Sequence, residues 1–286
     1  MEIKRVGVVG CGLMGSGITQ VCAQAGYQVT VSEINQELLK KGLGSLDGRL
    51  AKSVADGKMS APDKAAVLGR ITGTTDTKDF RGCDLVIEAA VENMDLKKKI
   101  FAELDGICPA HAILASNTSG LSIIGMASAT KRPEKVLGTH FFNPVPVMKL
   151  VEVVRSIATS DETLESVKAF VKSLGKTHIV AKDTPGFIVN RLTSALMLTA
   201  IRLLESGAAT REDIDTAATL GLNHPMGPLA LLDLVGIDTV YHNNLVVYDE
   251  LNDPLYAPPP LMRSMVAAGW LGRKTGKGFY DYKSNK

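Results

Sequence analysis

The chain has 286 residues, 45% apolar and 22% charged, enough apolar material for one large or two modest cores. A net charge of +2 argues against a nucleic-acid footprint, and the absence of any run of 18 apolar residues argues against a membrane span. Cys11, Cys22, Cys83 and Cys108 show neither metal-ligand spacing nor a disulfide framework, so no metal is expected and a reducing, cytoplasmic compartment is.

The first element expected is a strand at residues 5–9, running into Gly10-Cys11-Gly12-Leu13-Met14-Gly15 and then a helical pattern from Ser16. In a strand, glycine turn and helix, the first glycine permits the tight turn and Gly12 lets the backbone approach a pyrophosphate. Gly15 lets the helix pack close to the strand, with free N–H groups at its start facing the phosphates. Cys11 reads either as a thiolate favoured at a helix N-terminus or as a small residue filling the loop. Lys4 and Arg5 precede apolar residues as in an export signal, but the motif glycines interrupt the run, so a strand is expected.

A second strand, 28–32, ends at Glu33, eighteen residues after Gly15, where a carboxylate accepts ribose hydroxyls of an adenosine half. Glu33 also repels a ribose phosphate, and no arginine follows closely. The expected cofactor is therefore NAD, with NADP the weaker alternative.

The stretch 36–68 is longer than an ordinary crossover and reads as a helical hairpin projecting from the sheet. Its Lys40, Lys41, Arg49, Lys52 and Lys58 suit either a phosphorylated substrate handle or a solvated helix face. Further strands are expected at 70–74, 85–89, 113–116, 136–141 and 149–154. Short Val/Ile-rich runs alternating with helical patterns predict a doubly wound, Rossmann-like α/β sheet. Glu88 to Lys97 follows the fourth strand and Ser116-Asn117-Thr118-Ser119 the fifth, so both should emerge at the carboxyl edge, where such sheets bind ligands. The second of these also reads as a helix cap before Leu121.

In Thr139-His140-Phe141-Phe142-Asn143-Pro144-Val145-Pro146-Val147-Met148-Lys149-Leu150-Val151-Glu152-Val153-Val154, a His and a Glu lie in two apolar runs separated by a proline-broken turn. An unpaired carboxylate in Leu-Val-Glu-Val-Val would cost several kcal/mol, roughly, so Glu152 needs a proton donor. If the runs fold back about Pro146, His140 and Glu152 fall opposite each other across an antiparallel pair. That predicts a His–carboxylate dyad with the second ring nitrogen available as a base. The same residues also suit a core histidine in a structural ion pair.

Asp183-Thr184-Pro185-Gly186-Phe187 disfavours both helix and strand, and the domain boundary is expected there, dividing 1–184 from 185–286. Beyond it, helical periodicity at 187–206, 211–220, 228–248 and 261–268 predicts a smaller all-α domain. Its apolar content predicts a buried face in a second copy, hence a homodimer.

The chain resembles the (S)-3-hydroxyacyl-CoA dehydrogenases, most closely the compact bacterial 3-hydroxybutyryl-CoA dehydrogenases. The resemblance runs nearly end to end. It rests on Val-Val-Gly-Cys-Gly-Leu-Met-Gly-Ser-Gly, Val-Ile-Glu-Ala-Ala-Val-Glu-Asn, Ala-Ser-Asn-Thr-Ser, the His140–Glu152 segment, Pro-Gly-Phe-Ile-Val-Asn-Arg, Asn-His-Pro-Met-Gly-Pro and Gly-Trp-Leu-Gly-Arg-Lys-Thr-Gly-Lys-Gly-Phe-Tyr-Asp-Tyr. It implies reversible oxidation of a 3-hydroxyacyl-CoA to the 3-ketoacyl-CoA, with His140 as base and Glu152 as its partner. It further implies that Ser119 and Asn190 bond the reacting oxygen and that Asn143 shapes the pocket. Gly10, Gly12, Gly15 and Glu33 would hold the adenosine half of NAD and Glu92 and Lys97 would meet the nicotinamide half, with Leu13, Met14, Asn117, Ser119 and Asn143 also binding the cofactor. Lys52 is the candidate for a CoA phosphate. The family commonly has Asp where Glu33 stands and often Ser where Gly120 stands. Two rivals are a dehydrogenase of a free hydroxy or sugar acid on the same fold, and a non-catalytic relative of the kind found among lens crystallins.

Overall fold

The computed structural model describes residues 2–282. Contacts between Cα atoms divide the chain into two units, Met1–Thr184 and Pro185–Lys286.

The first unit opens with β1 (Arg5–Val9), α1 (Leu13–Gln24) and β2 (Gln28–Ser32). The hairpin helices α2 (Gln36–Ala55) and α3 (Ala61–Leu68) follow, then β3 (Ile71–Thr74), β4 (Leu85–Glu88), α4 (Met94–Ile107), β5 (Ile113–Ser116) and α5 (Ile123–Ala127). β6 (Val136–Phe141), β7 (Leu150–Arg155), α6 (Asp161–Ser173) and β8 (Thr177–Lys182) complete the unit. The sheet order is β3-β2-β1-β4-β5-β6-β7-β8. β3 through β6 run parallel, β7 is antiparallel to β6, and β8 is parallel to β7. Every residue of β4, β5 and β6 is buried, which a strand between two helical layers requires. Chain order reverses between β2-β1 and β4-β5, so the loops after β1 and β4 part there and leave a crevice at the carboxyl edge.

The hairpin is anchored to this sheet. Leu39, Leu46 and Leu50 of α2 are buried in the same core as Ile18 and Val21 of α1. Arg49 donates from Nε to Gln20 Oε1 (2.9 Å) and from a terminal nitrogen to Ser16 Oγ (3.1 Å), fixing α2 across the start of α1.

Two expectations for this unit need correction. β8 was not expected: Thr-His-Ile-Val-Ala-Lys has polar ends and buries only Ala181 fully, since it forms one edge of the sheet. A half-exposed edge strand lacks the apolar run that marks a central one. Nor is the Ser116–Ser119 segment a helix cap. The following helix begins at Ile123, and Ser122 Oγ accepts from Gly125 N (3.2 Å) as its cap. Asp183, at the end of β8, reinforces that cap by accepting from Ile123 N (2.8 Å) and Ile124 N (2.7 Å).

The second unit contains α7 (Val189–Glu205), α8 (Arg211–Thr216), α9 (Pro228–Val235), α10 (Ile237–Leu251) and α11 (Pro260–Ala267). Met197, Leu198, Ile201, Leu229, Leu232, Ile237, Met262 and Phe279 are among its core. The helical pattern read at 228–248 is two helices, broken at Gly236, whose φ of 107° is closed to most side chains. The C-terminal strap is tied down by Asp233, buried on α9, which accepts from Phe279 N, Tyr280 N and Tyr282 Oη.

Candidate active site

The glycine turn after β1 has the shape of an anion cradle. Gly10 has φ of 92°, and a Cβ there would lie 2.8 Å from Ala89 O at the end of β4. A Cβ on Gly15 would lie 1.9 Å from Gly10 O, so α1 starts directly against the turn. A Cβ on Gly12, by contrast, would meet nothing within 4 Å. This open volume faces the first turn of α1, where Leu13 is 68% exposed and no acidic residue opposes an anion. The residues present therefore fit a pyrophosphate. Glu33 closes the far side: its Oε1 accepts from Cys11 N (2.7 Å) and its Oε2 from Ile34 N (3.1 Å). Each carboxylate oxygen retains acceptor capacity for a ribose hydroxyl. Cys11 is buried, and burial, reinforced by the Glu33 charge, pushes its thiol up to about 11. It is a protonated filler of the loop at neutral pH rather than a thiolate.

The second cluster lies at the ends of β4, β5 and β6 and the start of β7. In the antiparallel β6–β7 register His140 pairs with Glu152, as the folding-back argument predicts. His140 Nδ1 is 2.6 Å from Glu152 Oε2, and the carboxylate side chain has no exposure. A carboxylate only accepts, so Nδ1 carries the proton and the basic lone pair of the neutral ring is on Nε2. Phe142 packs against the imidazole, with ring centroids 4.5 Å apart, and limits its rotation. Asn143 follows on the exposed turn.

Asn117 binds the neighbouring strand ends together, donating from its backbone N to Glu88 O (2.7 Å) and accepting at Oδ1 from Phe141 N (3.0 Å). Glu92 Oε1 accepts from Ser119 N (3.0 Å) and Thr118 Oγ1 (2.5 Å). Lys97, expected at the nicotinamide half, is 1% exposed, its ammonium held by Glu88 Oε1 (2.6 Å) and Glu92 Oε2 (3.3 Å). The Lys97 side chain is therefore buried, paired with both acids. Lys52 is exposed on the last turn of α2, and Asn190 is half-buried on the first turn of α7, in the second unit.

Sequence reasoning missed Glu88. The signal was present, because Leu-Val-Ile-Glu closes an apolar strand with a carboxylate just as Leu-Val-Glu-Val-Val encloses one. Among the described residues, no group of three or more His, Cys, Asp or Glu is arranged to hold a metal ion, and no helix is long and apolar enough to cross a membrane.

The profile of the 3-hydroxyacyl-CoA dehydrogenase NAD binding domain matches residues 5–184, and that of the 3-hydroxyacyl-CoA dehydrogenase C-terminal domain matches residues 186–282. The chain belongs to the 3-hydroxyacyl-CoA dehydrogenase family. It is 46% identical over 284 residues to the 3-hydroxybutyryl-CoA dehydrogenase of Bradyrhizobium diazoefficiens, covering 99% of this chain and 97% of that one. Against the mitochondrial hydroxyacyl-coenzyme A dehydrogenase of Rattus norvegicus, identity is also 46%, over 98% of this chain and 92% of the other. Among solved structures, the (S)-3-hydroxybutyryl-CoA dehydrogenase PaaH1 from Ralstonia eutropha superposes with a TM-score of 0.97 at 47% identity, covering 99% of this chain and 100% of that one.

Proposed function

We propose that this chain is an NAD-dependent 3-hydroxyacyl-CoA dehydrogenase that interconverts 3-hydroxybutyryl-CoA and acetoacetyl-CoA, with a His140–Glu152 dyad moving the proton. The observation that carries the reading is the 2.6 Å contact between a nearly buried imidazole and a fully buried carboxylate at the same sheet edge as the glycine cradle. The near full-length similarity to 3-hydroxybutyryl-CoA dehydrogenases supports the substrate.

When bound, the nicotinamide ring accepts or supplies a hydride. In the oxidising direction His140 Nε2 takes the proton of the 3-hydroxyl, and in the reducing direction it returns a proton to the 3-keto oxygen. Glu152 stabilises the imidazolium formed in the first case and holds the ring in the productive tautomer. Ser119 and Asn190 hydrogen-bond the reacting oxygen, a positional and electrostatic contribution without a covalent intermediate. Asn143 shapes the pocket, and Lys52 meets a phosphate of the CoA handle. The assignments for Ser119, Asn190, Asn143 and Lys52 rest on the family resemblance. Glu33 supports NAD over NADP because its carboxylate would face a ribose phosphate with like charge.

The deciding experiment is the initial rate of NADH consumption with acetoacetyl-CoA, run beside free acetoacetate and beside NADPH. A fast rate that requires both the CoA thioester and NADH is expected. Turnover of free keto acids alone would overturn the substrate, and inactivity with every substrate despite NADH binding would point to a non-catalytic relative.

The protein is further proposed to be a cytoplasmic homodimer. The second unit exposes Leu192, Leu220, Leu222 and Val246, apolar side chains that a second copy would cover. Light scattering coupled to gel filtration should return twice the mass of one chain; a single-chain mass at micromolar concentration would rule the dimer out.

A further inference from the structure

Glu88, at the end of β4, is fully buried. Its Oε1 accepts from Ala90 N (2.7 Å) and from Lys97 Nζ (2.6 Å), and its Oε2 accepts from Ser116 Oγ (2.6 Å). Lys97, itself buried, reaches on to Glu92 Oε2 at 3.3 Å. One ammonium therefore serves two acidic side chains, and of the two Glu92 is the one that reaches the surface, its side chain 43% exposed. An apolar replacement of a buried ion pair is often neutral or stabilising, so the presence of this pair is weak evidence of a purely stabilising role.

The hydrogen bonds indicate what the pair does. From Glu88 two arms converge on one three-residue turn. The first runs through Lys97 to Glu92, whose Oε1 accepts from Thr118 Oγ1 and from Ser119 N. The second runs through Ser116, whose Oγ accepts from Thr118 N at 3.2 Å. The backbone O of Glu88 also accepts from Asn117 N, and Asn117 holds Phe141 N, one residue from His140. The turn that carries Ser119 is thus fixed from both sides by a single buried carboxylate, and tied to the strand that carries the base.

We propose that Glu88 is a positioning residue for the reaction: through Lys97–Glu92 and through Ser116 it sets where Ser119 stands relative to His140. This rests on the functional reading above, in which Ser119 bonds the reacting oxygen.

The test is a double-mutant cycle of Glu88→Gln with Ser119→Ala, read in kcat with acetoacetyl-CoA and NADH and accompanied by thermal melts of all four proteins. Glu88→Gln keeps the shape and removes the charge that holds Lys97. In the wild-type background it is expected to lower kcat about tenfold, and in the Ser119→Ala background by less than about twofold, because the group it positions is already gone. Its effect on Tm should be the same in both backgrounds. Multiplicative losses in kcat would overturn the proposal and leave Glu88 a structural residue. If Glu88→Gln does not fold, Ser116→Ala removes one donor while keeping the ion pair, and the same dependence on Ser119 is expected of its smaller loss. Wild-type turnover separates the two levels: an inactive wild type sinks the functional reading, whereas an active wild type with uncoupled variants sinks only the role of Glu88.

Discussion

Replacing His140 with alanine is expected to lower kcat by about 100-fold or more, the range that general acid–base groups supply, while the affinity for NADH changes by less than about twofold. The imidazole is held by Glu152 across β6 and β7, and β6 is three strands from β1 in the sheet, so its removal leaves Gly10, Gly12, Gly15 and Glu33 as they are. Glu152→Gln should produce a loss of the same order for a different reason. The amide preserves the volume of a side chain that has no exposure, but it carries no charge to stabilise the imidazolium and presents either a donor or an acceptor to Nδ1. Steady-state kinetics with both substrates varied, together with NADH fluorescence titration, measure the two effects separately. Unimpaired turnover in either variant would return the pair to the status of a structural contact between β6 and β7.

The second large effect is expected at Gly12. A methyl group there meets no atom beyond its chain neighbours within 4 Å, and the residue is in an extended conformation, with φ of −68° and ψ of −158°. Gly12→Ala should therefore fold with an unchanged Tm. Yet the empty volume is where the cradle argument puts a pyrophosphate, so NADH affinity should fall by about 10- to 100-fold. Gly15→Ala supplies the contrast, since its methyl would lie 1.9 Å from Gly10 O and force α1 away from β1, costing about 1–3 kcal/mol of stability as overpacking does. An unchanged NADH dissociation constant in Gly12→Ala would remove the pyrophosphate from that volume.

Much of the site was legible before the fold, and for a definite reason. Each legible feature combined an unusual residue with a short, regular element. A carboxylate inside Leu-Val-Glu-Val-Val demands a partner, and the two-residue period of a strand, counted back from Pro146, finds it at His140. Three glycines between a Val-rich strand and a helical pattern constrain one turn, and Glu33 at the end of the next strand constrains its neighbour. What escaped was of another kind. β8 is an edge strand whose partners are all on one side, so its residues carry little apolar signal. Gly236 breaks a continuous apolar pattern through its backbone angle, which periodicity does not register. Lys97 was placed at the cofactor by resemblance, but its burial between two acids depends on the convergence of α4 on the end of β4, which no spacing along the chain records.

By itself, then, the sequence determined the strands from β1 to β7, the glycine turn after β1 and the pairing of His140 with Glu152, because each depends on local spacing or on one hairpin-like return of the chain. The tertiary structure alone decided that Glu88, Lys97, Glu92, Ser116 and Ser119 form one network. Those residues are drawn from two strand ends, a helix and two loops whose adjacency is created by parallel crossovers, and a parallel crossover carries no register that the spacing of side chains along the chain can encode.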